Sequence, residues 1–153
     1  MEERICAFAG HAEILGKDVI RQKLKSEITK LIENENINTF YSGGRGDFDK
    51  LCADCVHEIR NDYPFIKSYL VFSYIPGEKD KSGIDPYKDF DKTLYPEGLE
   101  FVPQRLAIIK RNEWMVDRAS FLIAYIDHEW GGAYKTFKYA KRKKHIKIIN
   151  IAN

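Results

Sequence analysis

The fold is decided by residues 37–47, INTFYSGGRGD, in which an apolar run passes into three glycines within four positions. The apolar run at 37–41 has the length and composition of a buried strand. An amphipathic stretch at 48–59 predicts a helix, which Asp47 or Asp49 is expected to cap. The junction therefore predicts a strand, a glycine turn and a helix, which is the repeating unit of parallel α/β proteins.

The same alternation of apolar runs and amphipathic stretches continues along the chain. Strands are predicted at 5–9, 69–75, 121–126 and 146–151, and helices at 18–33, 105–118 and from 131 to about 144. Such apolar strands between helices are typical of a parallel sheet covered on both faces. The sequence predicts one Rossmann-like three-layer α/β/α domain over residues 1–153, with a mainly parallel five-stranded sheet. The polar segment at about 76–104 is predicted to be a long loop or lid.

The turn after the second predicted strand is the first candidate for a ligand site. Ligands of open parallel sheets bind beyond the carboxyl ends of the strands. Glycines let several backbone N–H groups point at one anion, and the start of the next helix adds its positive dipole end. A tight turn without a ligand has the same pattern, so that alternative stays open. The candidate residues are Ser42, Gly43, Gly44, Arg45 and Gly46.

A glycine pair after the fourth predicted strand repeats this arrangement. Gly131 and Gly132 precede a helix whose first turn carries Lys135 and Thr136. A cation and a hydroxyl there can supplement the backbone N–H groups around a phosphate. Lys135 lies off the apolar stripe of this helix, so a solvated lysine fits the pattern equally well. The pair lacks the spacing of a Walker A loop.

Polar residues near the other strand ends complete the candidate site. Gly10 and His11 end the first strand, where His11 can stack on a base or bond a phosphate. Arg111 and Asn112 lie on the apolar face of their helix and therefore need polar partners. We expect them to bond to the backbone of the first strand's turn or to contact the ligand. Aromatic side chains that could stack on a base, or serve only in the core or at the surface, are Tyr87, Tyr95, Trp114 and Trp130.

Composition limits the classes of function. The 25 basic and 23 acidic residues give a net charge of +2, which argues against nucleic acid as a partner. We expect no signal peptide, because the N-terminus Met1-Glu2-Glu3-Arg4 is acidic and leads straight into a short apolar run. We expect no membrane partner, because no apolar stretch approaches about 18 residues, and hence a cytoplasmic location. Cys52 and Cys55 form a Cys-x-x-Cys, but both fall on an apolar helix face and are interpreted as core residues. We predict neither a metal site nor a cofactor.

Four landmarks in order along the chain resemble the SLOG superfamily. They are Gly10-His11, residues 40–49, Arg111-Asn112 and residues 131–135. The chain looks like the small bacterial members related to YpsA, and more distantly like the cytokinin-activating LOG proteins and the Rossmann domain of DprA. The resemblance covers nearly the whole chain. It implies a single Rossmann-like SLOG domain and a nucleotide or nucleotide-derived ligand.

The resemblance does not settle whether the chain is an enzyme. LOG-type phosphoribohydrolases carry the motif Pro-Gly-Gly-x-Gly-Thr-x-x-Glu, whose glutamate serves catalysis. The matching stretch here, residues 130–138, has Ala133 for the third glycine and no glutamate at the expected position. Asp127 and Glu129 lie nearby and are the candidate catalytic carboxylates.

Three functional hypotheses follow. The first is a binding module, either a sensor or a sequestering protein, that holds a nucleotide-type phosphate and balances its charge with Arg45, Arg111 and Lys135. The second is an enzyme that cleaves the N-glycosidic bond of a nucleoside monophosphate through Asp127 or Glu129. The third, by resemblance to DprA, is DNA binding. The segment at 76–104 is expected to serve as a lid or as part of a homo-oligomer contact.

Overall fold

Short apolar runs of the sequence form the strands of one parallel sheet, and the amphipathic stretches form the helices that cover it. The computed structural model describes residues 2–74, 87 and 89–152. The elements, in chain order, are β1 (Ile5–Gly10), α1 (Lys17–Glu35), β2 (Thr39–Ser42), α2 (Gly46–Ile59), β3 (Lys67–Val71), β4 (Lys92–Leu94), a 3-10 helix (Leu99–Phe101), α3 (Gln104–Arg118), β5 (Phe121–Tyr125), α4 (Gly132–Lys141) and β6 (Lys147–Asn150).

The described strands form a six-stranded sheet in the order β4-β3-β2-β1-β5-β6, and every neighbouring pair is parallel. The chain winds outward from β1 to β4 and then crosses back to β5 on the other side of β1. The carboxyl ends of β1 and β5 therefore flank the topological switch point, where ligands of such sheets bind.

Side chains of β1 point alternately into two hydrophobic cores, one on each face of the sheet. Cys6 and Phe8 point into the core beneath α1 and α2, whereas Ala7 and Ala9 point into the core beneath α3 and α4. This confirms the predicted three-layer α/β/α fold with a parallel sheet covered on both faces. None of the helices in the described part of the chain is long and apolar enough to cross a membrane.

The described sheet has six strands, whereas the sequence predicted five. The additional strand is β4, which lies in the segment predicted as a loop. β4 is a three-residue edge strand, Lys-Thr-Leu, with two exposed side chains, so it has no apolar run for a sequence pattern to detect. A 3-10 helix follows in the same segment. Residues 76–86 and 88 of the predicted loop or lid, and residue 75 of the predicted third strand, lie outside the described residues.

The cysteines are core residues, as predicted. Cys6, Cys52 and Cys55 are buried free thiols. Burial raises the pKa of the Cys55 thiol to about 11 and that of Cys52 well above its ordinary value. Near neutral pH such a thiol is almost entirely protonated, whereas the thiolate is the form that acts as a nucleophile.

The end of β1 has no room for a side chain. A Cβ atom at Gly10 would lie 2.3 Å from the ring of Phe48, which is fully buried in the core beneath α2. Neither the strand nor the core ring can withdraw easily in a close-packed interior. The glycine thus allows the first turn of α2 to pack directly against the end of β1.

We predict that Gly10→Ala lowers the free energy of unfolding by about 1–3 kcal/mol through overpacking against Phe48. Urea denaturation of both proteins measures the difference. Gly132→Ala is the matched control, because a Cβ atom there meets no atom within 4 Å. Equal stabilities of Gly10→Ala and Gly132→Ala would show that the contact with Phe48 does not constrain β1.

Candidate functional site

A cavity of about 740 Å³ opens at the carboxyl edge of the sheet, beyond the end of β1. Its volume lies within the range of about 300–1,000 Å³ that is typical of small-molecule sites. The predicted site residues that line it are Gly10, His11, Arg45, Gly46, Arg111, Asn112, Gly131, Gly132 and Thr136.

Two helix starts meet at this cavity. α2 begins at Gly46 and α4 begins at Gly132, and both glycines line the cavity. The first turn of a helix has backbone N–H groups without helical partners and carries the positive end of the dipole. The structure thus brings the two predicted glycine turns together, although 86 positions separate Gly46 from Gly132.

Backbone constraints fix both turns. Gly46 has a φ of +85°, and a Cβ atom there would lie 2.7 Å from the Cα of Ala12. The N–H of Asp47 donates a 2.7 Å hydrogen bond to the carbonyl oxygen of Ala12, which ties the loop after β1 to the start of α2. Gly131 has a φ of +94°, a left-handed value that favours glycine.

The turn after β2 divides between two environments. Arg45 and Gly46 face the large cavity, whereas Gly43 and Gly44 line a small neighbouring cavity whose wall also includes Arg45 and Arg111. Ser42 is buried, and its hydroxyl has no hydrogen-bond partner among the described residues. The five predicted residues therefore do not form one cradle; Arg45 and Gly46 are the part that the large cavity can use.

Arg111 is buried and holds two strand ends together. Its Nη1 donates to the carbonyl oxygens of Gly43 at 3.0 Å and Val71 at 2.8 Å, and its Nε donates to Oδ1 of Asn112 at 2.8 Å. The prediction that Arg111 bonds the backbone of the first strand's turn is wrong, because its carbonyl acceptors lie at the ends of β2 and β3. Burial lowers the pKa of the guanidinium, and the nearby carboxylate of Asp49 partly offsets this effect.

Asp49 is a cavity residue that sequence reasoning assigned only to capping. Its Oδ2 accepts a 3.1 Å hydrogen bond from the backbone N–H of Arg45, just before α2. The predicted capping by Asp47 or Asp49 is wrong, because Arg45 is the N-cap residue and α2 has no side-chain capping bond among the described residues. Burial raises the pKa of Asp49 to about 6, against the opposing effects of the Arg45 N–H and the Arg111 and Arg45 charges. Helical spacing in the sequence could have indicated this position in the cavity wall. Asp49 lies three residues after Gly46, so the two residues share one side of α2.

Three rings packed in series form another part of the cavity wall, the first two stacked and the third tilted by 31°. The His11 and His128 rings stack with centroids 3.5 Å apart, and His128 lies 3.8 Å from the Trp130 ring. Nε2 of His11 accepts a 3.2 Å hydrogen bond from the backbone N–H of Asp127, whose Oδ1 lies 2.7 Å from Nδ1 of His128. Burial, aided by the neighbouring His128, lowers the pKa of His11 although Asp127 opposes the shift. The role of His128 was missed because nothing in its local sequence indicates a partner near residue 11.

The same group has the composition of a metal site but not its geometry. Ligand atoms of His11, Asp127 and His128 lie within 4.8 Å of one another. The two imidazole planes, however, are only 12° from parallel. A cation about 2.1 Å from both nitrogens would lie far out of the plane of at least one ring, where no lone pair points. This arrangement supports a hydrogen-bonded stack and not a metal centre.

The remaining predicted residues lie outside the lining of the large cavity. Lys135 is exposed on α4, and Glu129 is exposed before it. Asp127 is half exposed and bonded to the two histidines. The carboxylates that do line the cavity are Glu13 and Asp49. Thr136 lines it as well, and its hydroxyl donates to the carbonyl oxygen of Gly132 at 3.1 Å.

Comparison with known proteins finds one curated relative at moderate identity. The chain is 28% identical over 140 residues to YoqJ of Bacillus subtilis (strain 168), an uncharacterised SPbeta prophage-derived protein. The match covers 80% of this chain and 81% of YoqJ. No protein-family model matches the chain.

Solved structures show the fold of the chain. TM1055 aligns with a TM-score of 0.55 and 13% identity over 90% of this chain and 68% of TM1055. DprA from Helicobacter pylori aligns with a TM-score of 0.59 and 13% identity over 91% of this chain and 61% of DprA. DprA from Streptococcus pneumoniae aligns with a TM-score of 0.61 and 16% identity over 92% of this chain and 47% of that DprA. These neighbours are Rossmann-like, which agrees with the three-layer α/β/α fold of this chain.

We predict that the stability difference between wild type and Asp49→Asn depends on pH. Because folding raises the Asp49 pKa from 3.8 to about 6, the folded chain binds this proton more tightly than the unfolded chain. The stabilisation is complete below about pH 4 and is lost as the pH rises through about 6. Relative to that of Asp49→Asn, the free energy of unfolding of the wild type therefore falls by about 1–3 kcal/mol between these two pH values.

Urea denaturation of both proteins at about pH 4.5 and about pH 7.5 measures this difference. Asp54→Asn, which changes an exposed carboxylate on the same helix, is the control and should not reproduce it. A difference between wild type and Asp49→Asn that stays constant with pH would contradict the assigned burial of Asp49.

Proposed function

We propose that this chain is a binding module of the small YpsA-like SLOG type that holds a nucleotide or nucleotide-derived ligand by its phosphate. One observation carries the proposal: the starts of α2 and α4 line the same cavity together with Arg45. Two helix N-termini and a guanidinium favour an anion, and a phosphate uses such N–H groups directly. Binding of a phosphate in this way is sufficient for the function of a sensor or a sequestering protein.

The charged residues around the cavity have different roles in this proposal. Arg45 is exposed and lines the cavity, so its guanidinium is available to a phosphate. Arg111 is committed to carbonyl oxygens at the ends of β2 and β3 and positions the turn that carries Arg45. Asp49 opposes an anion when ionised, but its raised pKa reduces that charge in mildly acidic solution.

We predict that Arg45→Ala weakens the binding of nucleoside monophosphates by about tenfold to a hundredfold, as expected for the loss of a charge-assisted hydrogen bond. A thermal-shift panel of nucleoside monophosphates, cyclic dinucleotides and ADP-ribose derivatives identifies the best ligand, and calorimetry then measures its affinity. Arg142→Ala is the matched control, because Arg142 is an exposed arginine after the carboxyl end of α4.

Stabilisation by a nucleotide that disappears in Arg45→Ala and persists in Arg142→Ala would support the proposal. No stabilisation by any phosphate-bearing nucleotide would refute it. An equal loss in both variants would indicate a general charge effect instead of contact with Arg45.

A second candidate function, cleavage of an N-glycosidic bond in a nucleoside monophosphate, is favoured by Asp49. This carboxyl lines the cavity and has a raised pKa, as residues that act in acid–base or electrostatic catalysis often have. Release of free base that is abolished by Asp49→Asn would support this function. Retention of release in Asp49→Asn, with loss in Asp127→Asn or Glu129→Gln, would instead assign it to the carboxylates near the start of α4.

DNA is the ligand that the DprA likeness suggests. The Helicobacter pylori neighbour is described for its single-stranded DNA binding mode. We favour a small nucleotide because the converging groups line a cavity at the strand ends. Competition between a nucleoside monophosphate and a single-stranded oligonucleotide at moderate salt separates the two ligands, since backbone contacts weaken as salt rises.

A further inference from the structure

Trp130 is exposed at the edge of the cavity. Its side chain is 70% exposed, although a large aromatic ring in water forgoes much of the stabilisation that burial provides. The same residue lines the cavity that also contains the two helix starts. An exposed aromatic ring beside such a cavity can serve as a contact surface for a ligand.

The Trp130 ring is supported from beneath. It packs on His128 at 3.8 Å between centroids, and His128 in turn stacks on the buried His11. Asp127 fixes this arrangement, because its carboxylate bonds His128 and its backbone N–H bonds His11. A contact surface that already packs on a neighbouring ring gives up less entropy when a ligand stacks on it.

We propose that Trp130 stacks on the nucleobase of the ligand, as the outermost ring of the series His11, His128, Trp130. This inference rests on the proposed function, in which the phosphate of the same ligand lies at the starts of α2 and α4. Base–aromatic stacking tolerates every base because each has a π-face. Trp130 therefore supplies affinity for nucleotides over sugar phosphates, without choosing among bases.

The two tryptophans of the chain provide a sharp test. Trp114 is partly buried and packs against the core on the α3 and α4 side of the sheet, where it stacks on Tyr41 and lies beneath Arg118. It does not line the cavity in the described structure. In the variant Trp114→Phe, tryptophan fluorescence reports on Trp130 alone, and Trp130→Phe provides the reverse control.

The experiment compares AMP, GMP and UMP with ribose 5-phosphate, which has the sugar and phosphate but no base. In the wild type we expect the nucleotides to bind about tenfold more tightly than ribose 5-phosphate, as one stacked base provides. They should quench the fluorescence of Trp114→Phe, whereas ribose 5-phosphate should not. Trp130→Ala should lower nucleotide affinity to that of ribose 5-phosphate and leave ribose 5-phosphate binding unchanged. Trp130→Phe should retain most of the preference.

Two results would overturn the inference, and they differ in what they say about the proposed function. Equal affinities for nucleotides and ribose 5-phosphate, or a preference that persists in Trp130→Ala, would exclude stacking on Trp130 while phosphate binding stands. Failure of all four compounds to bind the wild type would overturn both the inference and the proposed phosphate site.

Discussion

The site depends on the close approach of α2 to the end of β1. The ring of Phe48 occupies the space where any side chain at residue 10 would lie, and the N–H of Asp47 bonds the backbone at Ala12. These contacts place the start of α2 directly beside the loop that leaves β1. A looser contact would separate the glycine turn after β2 from the strand end, and the cavity would lose its wall at Gly46.

Arg111 complements this contact from the other side of the sheet. A buried guanidinium needs several acceptors, and the carbonyl oxygens of Gly43 and Val71 supply them where β2 and β3 end. The result is a charged side chain that acts as a structural cross-link, because most of its bonding is directed at the backbone. Arg45 remains exposed beside it. One arginine thus stabilises the turn, and in the proposed function the other contacts the ligand.

The sequence predicted the features that depend on local pattern. Apolar runs and glycine turns gave the parallel sheet and placed both turns at its carboxyl edge, and the apolar helix face identified Arg111 as an inward polar residue. It could not predict β4, whose three residues carry no apolar pattern. Nor could it predict that Gly43 and Gly44 face a different cavity from Gly46, because this depends on how Arg111 fills the space between them.

Features that join distant segments were equally inaccessible to sequence reasoning. The stack of His11 on His128 joins the ends of β1 and β5, which become neighbours only when the sheet forms. The raised pKa of Asp49 depends on its burial in the folded chain, against the opposing charge of Arg111 from a distant helix. Such properties arise from tertiary packing, so local spacing can suggest candidates for them but cannot assign their partners.

In the proposed function, the starts of α2 and α4 bind one phosphate together. Backbone amide NMR during titration with a nucleoside monophosphate tests it most directly, because each N–H that bonds a phosphate reports its own change in chemical shift. Because the N–H of Asp47 already bonds Ala12, we expect the largest changes on the amides of Gly46 and of residues 131–134, with the same concentration dependence. Changes confined to one helix start, or concentrated on the lysines at the carboxyl end of α4, would contradict it.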